Sequence, residues 1–164
     1  IHDNNSKPAS RPDGRTRSIK VRIPAGVEDR QNIRLKGRGG PGSGGGPAGD
    51  LLLEVLVSDH AVFGRDRRNL TLELPVTFEE AALGADIKVP TFRGEPVKLR
   101  LPKGTQPGRK FRVKGQGIET AKGTGDLLVT VHIAIPTKLN KSQREALQLF
   151  ADASSASPRA HLEL

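Results

Sequence analysis

The sequence predicts a mainly β fold that consists of two small β-sandwich domains in tandem, with a short helix in each and a C-terminal helix. Two observations favour it: apolar and polar residues alternate with period two along several short runs, and one pattern of apolar, proline and glycine positions occurs twice. The chain has 164 residues, so each domain would be small and would bury little of its surface alone. We therefore expect the two domains to pack on each other or on a partner.

The repeat begins at Val21 with "VRIPAGVEDRQNIRLKGRG" and again at Leu99 with "LRLPKGTQPGRKFRVKGQG". At this spacing apolar residues align with apolar residues, and turn residues align with turn residues. After a linker that is two residues shorter in the second copy, "GDLLLEVLV" from Gly49 aligns with "GDLLVTVHI" from Gly125. Agreement of this length indicates two copies of one supersecondary unit.

The first copy is predicted to contain three strands that form a small antiparallel sandwich. The alternating run "IKVRI" at 19–23 is the first, "NIRLKG" is the second and "DLLLEVLV" is a longer third. The Gly- and Pro-rich segment 37–49 is predicted to be a mobile loop with nothing to pack against. A phosphate-binding loop is the alternative, which is disfavoured because no Lys-Ser or Lys-Thr pair ends the segment and no helix follows it.

The segment between the copies and the segment after them supply the remaining elements. Four apolar residues alternate with polar ones and predict a further strand: Leu70, Leu72, Leu74 and Val76. The run "TFEEAALG" predicts a short helix that ends at Gly84, and "DIKVPTF" predicts another strand. The run "NKSQREALQLFADA" has a polar start near Asn140 and then apolar residues at helical spacing, which predicts a longer helix.

The charge and composition limit the possible functions. The formal net charge of +9 favours an acidic partner such as nucleic acid. The basic residues, however, alternate with apolar ones, and the five aromatic residues are all Phe, so few platforms exist on which bases could stack. The absence of cysteine excludes disulfides, thiolate metal sites and cysteine nucleophiles. No apolar run approaches the roughly 20 residues of a membrane helix, so a soluble, cytoplasmic protein without membrane contact is expected.

No catalytic constellation is visible in the sequence. The four histidines lie far apart and not at metal-ligand spacing: His2, His60, His132 and His161. Glu79 and Glu80 are adjacent, so on a helix they point in different directions and cannot act as an acid/base pair. We therefore expect no metal, no cofactor and no enzymatic activity.

The order of the segments resembles the C-terminal substrate-binding region of the DnaJ family of J-domain co-chaperones. The resemblance covers roughly residues 17–152, and its most specific parts are "EEAALGADIKVPT" and the doubled Pro-Gly motif. It implies two similar β-sandwich domains in series, of which the first binds non-native polypeptide and the second leads to a dimerisation helix. The implied division is a flexible segment 1–16, an incomplete client-binding domain 17–72, a second domain 73–138, a dimerisation helix 139–152 and a flexible tail 153–164.

Departures from the family pattern limit what the resemblance implies. The chain has no His-Pro-Asp motif and no cysteine-rich zinc module, so the chain alone is not expected to stimulate the ATPase of a DnaK-type chaperone or to bind zinc. The strands that precede the zinc module in the family are also missing, which would leave the substrate groove incomplete. Arg30 and Arg67 stand where the family usually has turn glycines. A positive φ at either residue would cost about 1 kcal/mol or less.

The resemblance also implies the site residues. An apolar depression on the first domain would take a hydrophobic side chain of an extended polypeptide, and a strand edge would add backbone hydrogen bonds. The positions that match the depression are Phe63, Ile33 and Leu35, for which an ordinary core role is the alternative. The candidate contacts of a homodimer are Leu139, Leu147, Leu149 and Phe150, for which packing of the helix on its own domain is the alternative.

In a full-length protein the bound polypeptide would pass to a DnaK-type ATP-driven chaperone. Two other functions stay open at this point. One is a basic nucleic-acid-binding module, whose affinity would fall steeply with salt. The other is a purely structural dimerisation scaffold, which would self-associate but ignore unfolded polypeptides.

Overall fold

The computed structural model describes residues 18–154 and 157–162, which are mainly β. Their strands are β1 (Gln31–Leu35), β2 (Leu51–Val55), β3 (Gly64–Asp66), β4 (Asn69–Val76), β5 (Ala85–Val89), β6 (Val97–Leu101), β7 (Lys110–Val113), β8 (Glu119–Thr120), β9 (Gly123–Thr124) and β10 (Leu127–Ile133). Their helices are α1 (Phe78–Leu83) and α2 (Lys141–Ala153), with 3-10 turns at Ser43–Gly45 and Ala160–Leu162. The predicted fold class is confirmed.

The first unit is built on an antiparallel pair, β1 with β2. Ile33 lies opposite Leu53, and Leu35 lies opposite Leu51. The second unit has a four-stranded sheet of order β3-β4-β10-β7, a separate antiparallel pair β5-β6 and a small hairpin β8-β9. Within the four-stranded sheet β4 and β10 run parallel, whereas the other neighbours are antiparallel. The second unit is therefore a mixed sandwich and not the purely antiparallel one expected from the repeat alone.

The core lies between the four-stranded sheet on one side and the β5-β6 pair with α1 on the other. The side chains of β4 that alternate in the sequence, at positions 70, 72, 74 and 76, are all buried. Leu127, Val129 and Val131 of β10 are at most 1% exposed. Ala81 of α1 is buried in the same cluster, and Ile87, Val97 and Leu99 pack against it. Period-two alternation has thus placed one face of each strand in this core.

The internal repeat is confirmed in the strand register. Phe111 lies opposite Val129 in the second copy as Ile33 lies opposite Leu53 in the first, and Val113 lies opposite Leu127 as Leu35 lies opposite Leu51. The turns agree as well, because Arg30 has a φ of 59° and its equivalent Gly108 has a φ of 80°. The backbone N–H of each donates to the strand that pairs with the one it precedes: Arg30 to Val55 O of β2 at 2.7 Å, and Gly108 to Val131 O of β10 at 2.8 Å.

Both arginines at expected glycine positions have a positive φ, 59° for Arg30 and 56° for Arg67. Arg67 begins the tight turn between β3 and β4, where a positive φ suits the twist of a hairpin. Both turns therefore have a left-handed backbone at a residue that carries a Cβ. The folded protein retains the strain of that conformation.

The expected strand at 19–23 is wrong. Residues 18–30 contain no strand, although the equivalent stretch of the second copy is β6. β6 exists because β5 pairs with it, and among the described residues the first copy has no strand equivalent to β5. A strand needs a neighbour for its backbone N–H and C=O groups, so alternation alone cannot create one.

The Gly-rich loop at 37–49 folds on itself. The N–H of Gly39 donates to Gly49 O at 2.7 Å, and the N–H of Gly49 donates to Gly40 O at 2.9 Å. A Cβ at Gly42 would lie 2.4 Å from Pro47 O and 2.5 Å from Gly46 O, so only glycine fits there. The loop thus has a packed base, and its mobility stays a prediction.

The short helix of the second unit and the C-terminal helix are confirmed, and each begins with a reciprocal capping box. The short helix expected in the first unit is wrong for the described residues, which have only the 3-10 turn Ser43–Gly45 there. Thr77 and Glu80 exchange side-chain and backbone hydrogen bonds at the start of α1, which ends before Gly84. Asn140 and Gln143 do the same for α2. Neither helix has the length and apolar character that crossing a bilayer would require. The flexible segment predicted at 1–16 lies outside the described residues, as does part of the predicted tail.

The predicted boundary between residues 72 and 73 falls inside β4, which pairs along its length with β10. Because β3 and β4 pair only within the second sheet, we propose that the second unit begins near β3. The segment 56–63 then connects the two units.

Candidate functional site

One face of the β1-β2 pair carries five apolar side chains, and we call it the first-unit apolar face. Its members are Ile33, Leu35, Leu51, Leu53 and Val55. All five are half-buried and none is fully buried. The opposite face carries exposed residues, including Arg34, Leu52 and Glu54. The two sequence-predicted residues of β1 therefore share a face with three residues of β2.

The equivalents of the three β2 members have a different environment in the second copy, whereas Phe111 and Val113, the equivalents of Ile33 and Leu35, are half-buried as well. Leu127, Val129 and Val131 correspond to the three members of β2 and are 0 to 1% exposed. They are covered because β4 lies beside β10 and the β5-β6 pair packs over the same core. Among the described residues no strand takes either place in the first unit. The first-unit apolar face is thus partly open to an apolar side chain from outside.

A carboxylate fixes one end of this face. Asp50 lies directly before β2 and accepts a hydrogen bond from the Gly37 N–H at 2.8 Å and one from Arg34 Nε at 2.6 Å. The Gly37 N–H, and then the Arg34 guanidinium, hold the pKa of Asp50 below its ordinary value. The ionised carboxylate therefore ties the Gly-rich loop to β1 at the edge of the apolar face.

The structure places Phe63 in the core and not on an open surface. Its side chain is 8% exposed and belongs to the core cluster of the second unit. Its ring lies 5.2 Å from the His60 ring and 6.1 Å from the Phe92 ring, measured between centroids. Phe92 is half exposed, so it covers one side of Phe63. This burial favours the core role that the sequence left as the alternative.

Two of the polar residues considered in the sequence, His60 and Glu80, form hydrogen bonds with the backbone. His60 Nδ1 accepts hydrogen bonds from the N–H groups of Val62 at 3.1 Å and Phe63 at 3.3 Å, so it orders the connector between the units. Glu80 caps α1. Across residues 18–154 and 157–162 no group of three His, Asp or Glu side chains could hold a metal ion.

The candidate dimer residues are partly packed on their own unit and partly exposed, and thus accessible to a second copy of the chain. Phe150 packs edge-on against Phe78 with ring centroids 5.5 Å apart, which joins α2 to its own unit. Leu147, Leu149 and Phe150 are nevertheless 46%, 72% and 55% exposed, and Leu139 is half-buried. α2 thus touches its own unit on one side and presents apolar side chains on another.

Sequence reasoning missed the β2 members of the apolar face and the role of Phe92. The β2 residues had a signal, because the alternation in "LLLEV" and the repeat alignment assign Leu51, Leu53 and Val55 to one face. Phe92 had none, since its contact with Phe63 depends on how the β5-β6 hairpin packs.

Comparison with known proteins gives consistent results. The family described as the DnaJ C terminal domain matches residues 4–136. "Chaperone protein DnaJ 2" of Cutibacterium acnes is 52% identical over 146 residues, which are 88% of this chain and 38% of the relative. "Chaperone protein DnaJ 1" of Streptomyces avermitilis is 52% identical over 149 residues, 90% of this chain and 38% of the relative. "Chaperone protein DnaJ 2" of Mycolicibacterium paratuberculosis is 53% identical over 150 residues, again 38% of the relative. The chain thus spans about 38% of the length of these relatives.

Proposed function

Because the chain belongs to the DnaJ C terminal domain family, we propose that it is the client-binding part of a cytoplasmic co-chaperone. It holds non-native polypeptides on the first-unit apolar face, and in a full-length protein it passes them to a DnaK-type ATP-driven chaperone. The observation that carries the proposal is the partial exposure of five apolar side chains on one face, because the equivalents of its three β2 members are fully covered in the second unit. The role is one of binding and release, without catalysis.

The apolar face suits weak and reversible binding. Burial of one large apolar side chain contributes about 1.5 to 3 kcal/mol, so a single occupied position gives low affinity. Among the described residues the two-stranded sheet also has an open edge, to which an extended polypeptide can add backbone hydrogen bonds. Weak binding of this kind allows the client to leave.

Individual residues have different roles in this proposal. Ile33 and Leu35 contact the client directly, together with Leu53 in the centre of the face. Phe63 acts as a support, because its buried ring holds the connector that leads from β2 into the second unit.

Self-association through α2 would make the binding bivalent. The side chain of Leu149, which is 72% exposed, supplies an apolar contact for a second copy of the chain. Two apolar faces in one homodimer would hold a long unfolded polypeptide more tightly than either face alone, through their effective concentration.

The test is fluorescence anisotropy of a labelled apolar peptide, titrated with the protein at low and high salt. Leu35→Ala removes part of the apolar face and should weaken binding, whereas Leu52→Ala removes an apolar side chain from the opposite face and should not. Leu52 is 65% exposed, so this control carries little risk of unfolding. Circular dichroism of both variants checks that the fold is kept.

Each outcome separates the candidate functions. Binding that persists in high salt and weakens only in Leu35→Ala supports the proposal. Binding that disappears as salt rises would support the nucleic-acid alternative, because charge neutralisation dominates such contacts. Self-association without any peptide binding would support the structural scaffold.

A further inference from the structure

Arg65 of β3 directs its guanidinium group at backbone carbonyls. Nη1 donates to Val27 O at 2.7 Å, Nη2 donates to Gly26 O at 2.7 Å, and Nε donates to Arg67 O at 2.8 Å. The three acceptors lie on two different segments, since Arg67 belongs to the β3-β4 turn and the other two belong to the turn that precedes β1. One side chain therefore bridges two segments, and its acceptors Val27 and Gly26 lie 38 and 39 residues from Arg65 in the sequence.

These contacts join the two units. Within the part of the chain that the structure describes, the hydrogen bonds from Arg65 to Gly26 and Val27 are the ones that link residues 18–57 with residues 58–162. The ion pairs of the described residues lie within one unit or the other. Arg65 thus supplies the polar contact between the units.

The turn that Arg65 holds is also packed tightly against the second unit. Gly26 has a φ of 76°, and a Cβ there would lie 2.6 Å from Thr120 Cγ2 and 2.8 Å from Glu119 O. Only glycine satisfies both the backbone conformation and the close approach to β8. The polar contact of Arg65 is therefore reinforced by direct packing of the same turn.

The repeat shows that this arrangement is specific to the first copy. The equivalent turn of the second copy, at 102–105, docks inside its own unit, where the N–H groups of Gly104 and Thr105 donate to Ala82 O and Ala81 O of α1. The first-copy turn instead offers its carbonyls to a side chain of the other unit. The same local structure serves packing within a unit in one copy and contact between units in the other.

We propose that Arg65 is a positioning residue that fixes the first-unit apolar face at a set orientation to the second unit. A guanidinium suits this role because its planar fork can bind two neighbouring carbonyls at once, whereas the single ammonium of lysine cannot reproduce that geometry. The hydrogen bond from Arg65 Nε to Arg67 O fixes the orientation of the guanidinium plane. The importance of the orientation rests on the proposed function, in which two apolar faces of a homodimer converge on one client.

The experiment uses pulsed electron paramagnetic resonance between spin labels. The chain has no cysteine, so labels can be attached at introduced cysteines alone. Asn32→Cys with Lys88→Cys reports on the distance between units, and Lys88→Cys with Lys110→Cys reports on the second unit itself; all three positions are exposed. Arg65→Gln and Arg65→Lys are compared with the control Arg68→Gln, which removes one charge from the neighbouring turn.

Both Arg65 variants should broaden the distance distribution between the units and leave the distribution within the second unit unchanged. Arg68→Gln should leave both distributions unchanged. If both Arg65 variants gave the same distance distribution between the units as the parent, the proposal would be overturned. Broadening in Arg65→Gln with none in Arg65→Lys would also overturn it, since charge alone would then suffice.

A binding measurement separates this proposal from the proposed function. A short apolar peptide, which fills one face, should keep its affinity in Arg65→Lys, whereas a long reduced unfolded protein, which spans two faces, should bind at least about threefold more weakly. Equal loss for both probes would mean that Arg65 acts on the face itself and would overturn a positioning role. If the parent protein bound neither probe while the Arg65 variants still broadened the distances between the units, the positioning role would stay in place and the proposed function would be refuted.

Discussion

Asp50 accepts a hydrogen bond from the backbone N–H of Gly37 at 2.8 Å, and in the second copy Asp126 accepts one from the backbone N–H of Gly115, also at 2.8 Å. In each copy an arginine of the adjoining strand, Arg34 or Arg112, pairs with the carboxylate. Both glycines have a positive φ, which turns their N–H groups toward the acid. The two units therefore share more than their strand register. In each, a carboxylate joins the N–H of a loop glycine to an arginine of the neighbouring strand.

Asp50→Asn should reduce stability in a pH-dependent manner. The contacts with Gly37 and Arg34 hold the pKa of Asp50 below its ordinary value in the folded protein. A lowered folded pKa contributes stability that is present above the unfolded pKa and is lost as pH falls through the folded value. The thermal midpoint of the variant should thus lie below that of the parent at pH 7, and the gap should narrow as pH falls below about 4.

Glu54→Gln is the matched control for this prediction. It removes an exposed carboxylate from β2 and gives the same net charge as Asp50→Asn without touching Gly37 or Arg34. Midpoints measured by circular dichroism from pH 2 to pH 8 compare the three proteins. If the two variants followed the same curve, net charge and not the Asp50 contact would explain the pH dependence.

Arg30→Gly and Arg67→Gly should each stabilise the protein. Both arginines have a φ near 60°, which is unfavourable for a residue with a Cβ. Relief of this strain is partly offset by the greater freedom of glycine in the unfolded chain, so we expect a net gain of at most about 0.5 kcal/mol. Urea denaturation of each variant measures it.

Arg68→Gly tests whether backbone conformation is the cause. Arg68 is the second residue of the β3-β4 turn and has no positive φ. Glycine there gains nothing in the folded state and should lower stability. Equal stabilisation by glycine at 67 and 68 would show that loss of positive charge, and not relief of strain, accounts for the gain.

Local patterns were sufficient for the elements whose residues carry their own signals. Period-two alternation identified β4, and the apolar spacing with polar starts identified α1 and α2, because propensity, capping and burial agree in these segments. The repeat also identified the shared register of β1-β2 and β7-β10, because equivalent sequences fold to equivalent pairings.

Contacts between distant segments could not be predicted in this way. The alternation at 19–23 indicated a strand, but the pairing partner that makes β6 a strand is β5, which the first copy lacks among the described residues. The contact of Arg65 with Gly26 spans 39 residues and depends on how the units pack. A local pattern carries no information on either, because both depend on tertiary neighbours.

Leu149→Asp should weaken self-association. Leu149 is 72% exposed on α2, and a carboxylate in an apolar contact between copies would be desolvated without a partner. Sedimentation velocity across a range of protein concentrations should show a shift toward monomer. Leu52→Asp, at a position of similar exposure on β2, should leave the distribution unchanged. If both variants self-associated to the same extent as the parent, α2 would be excluded as the contact between copies.

Leu127→Ala and Leu51→Ala make the same chemical change at equivalent positions of the two copies and should differ in cost. Leu127 is 0% exposed beneath β4 and β5-β6, so its truncation leaves a cavity and should cost about 2 to 5 kcal/mol. Leu51 is half-buried on the first-unit apolar face, where water can fill the space, so its truncation should cost about 1 kcal/mol. Urea denaturation compares the two. Equal costs would mean that Leu51 is covered in solution, and the first-unit apolar face would then be closed to a client.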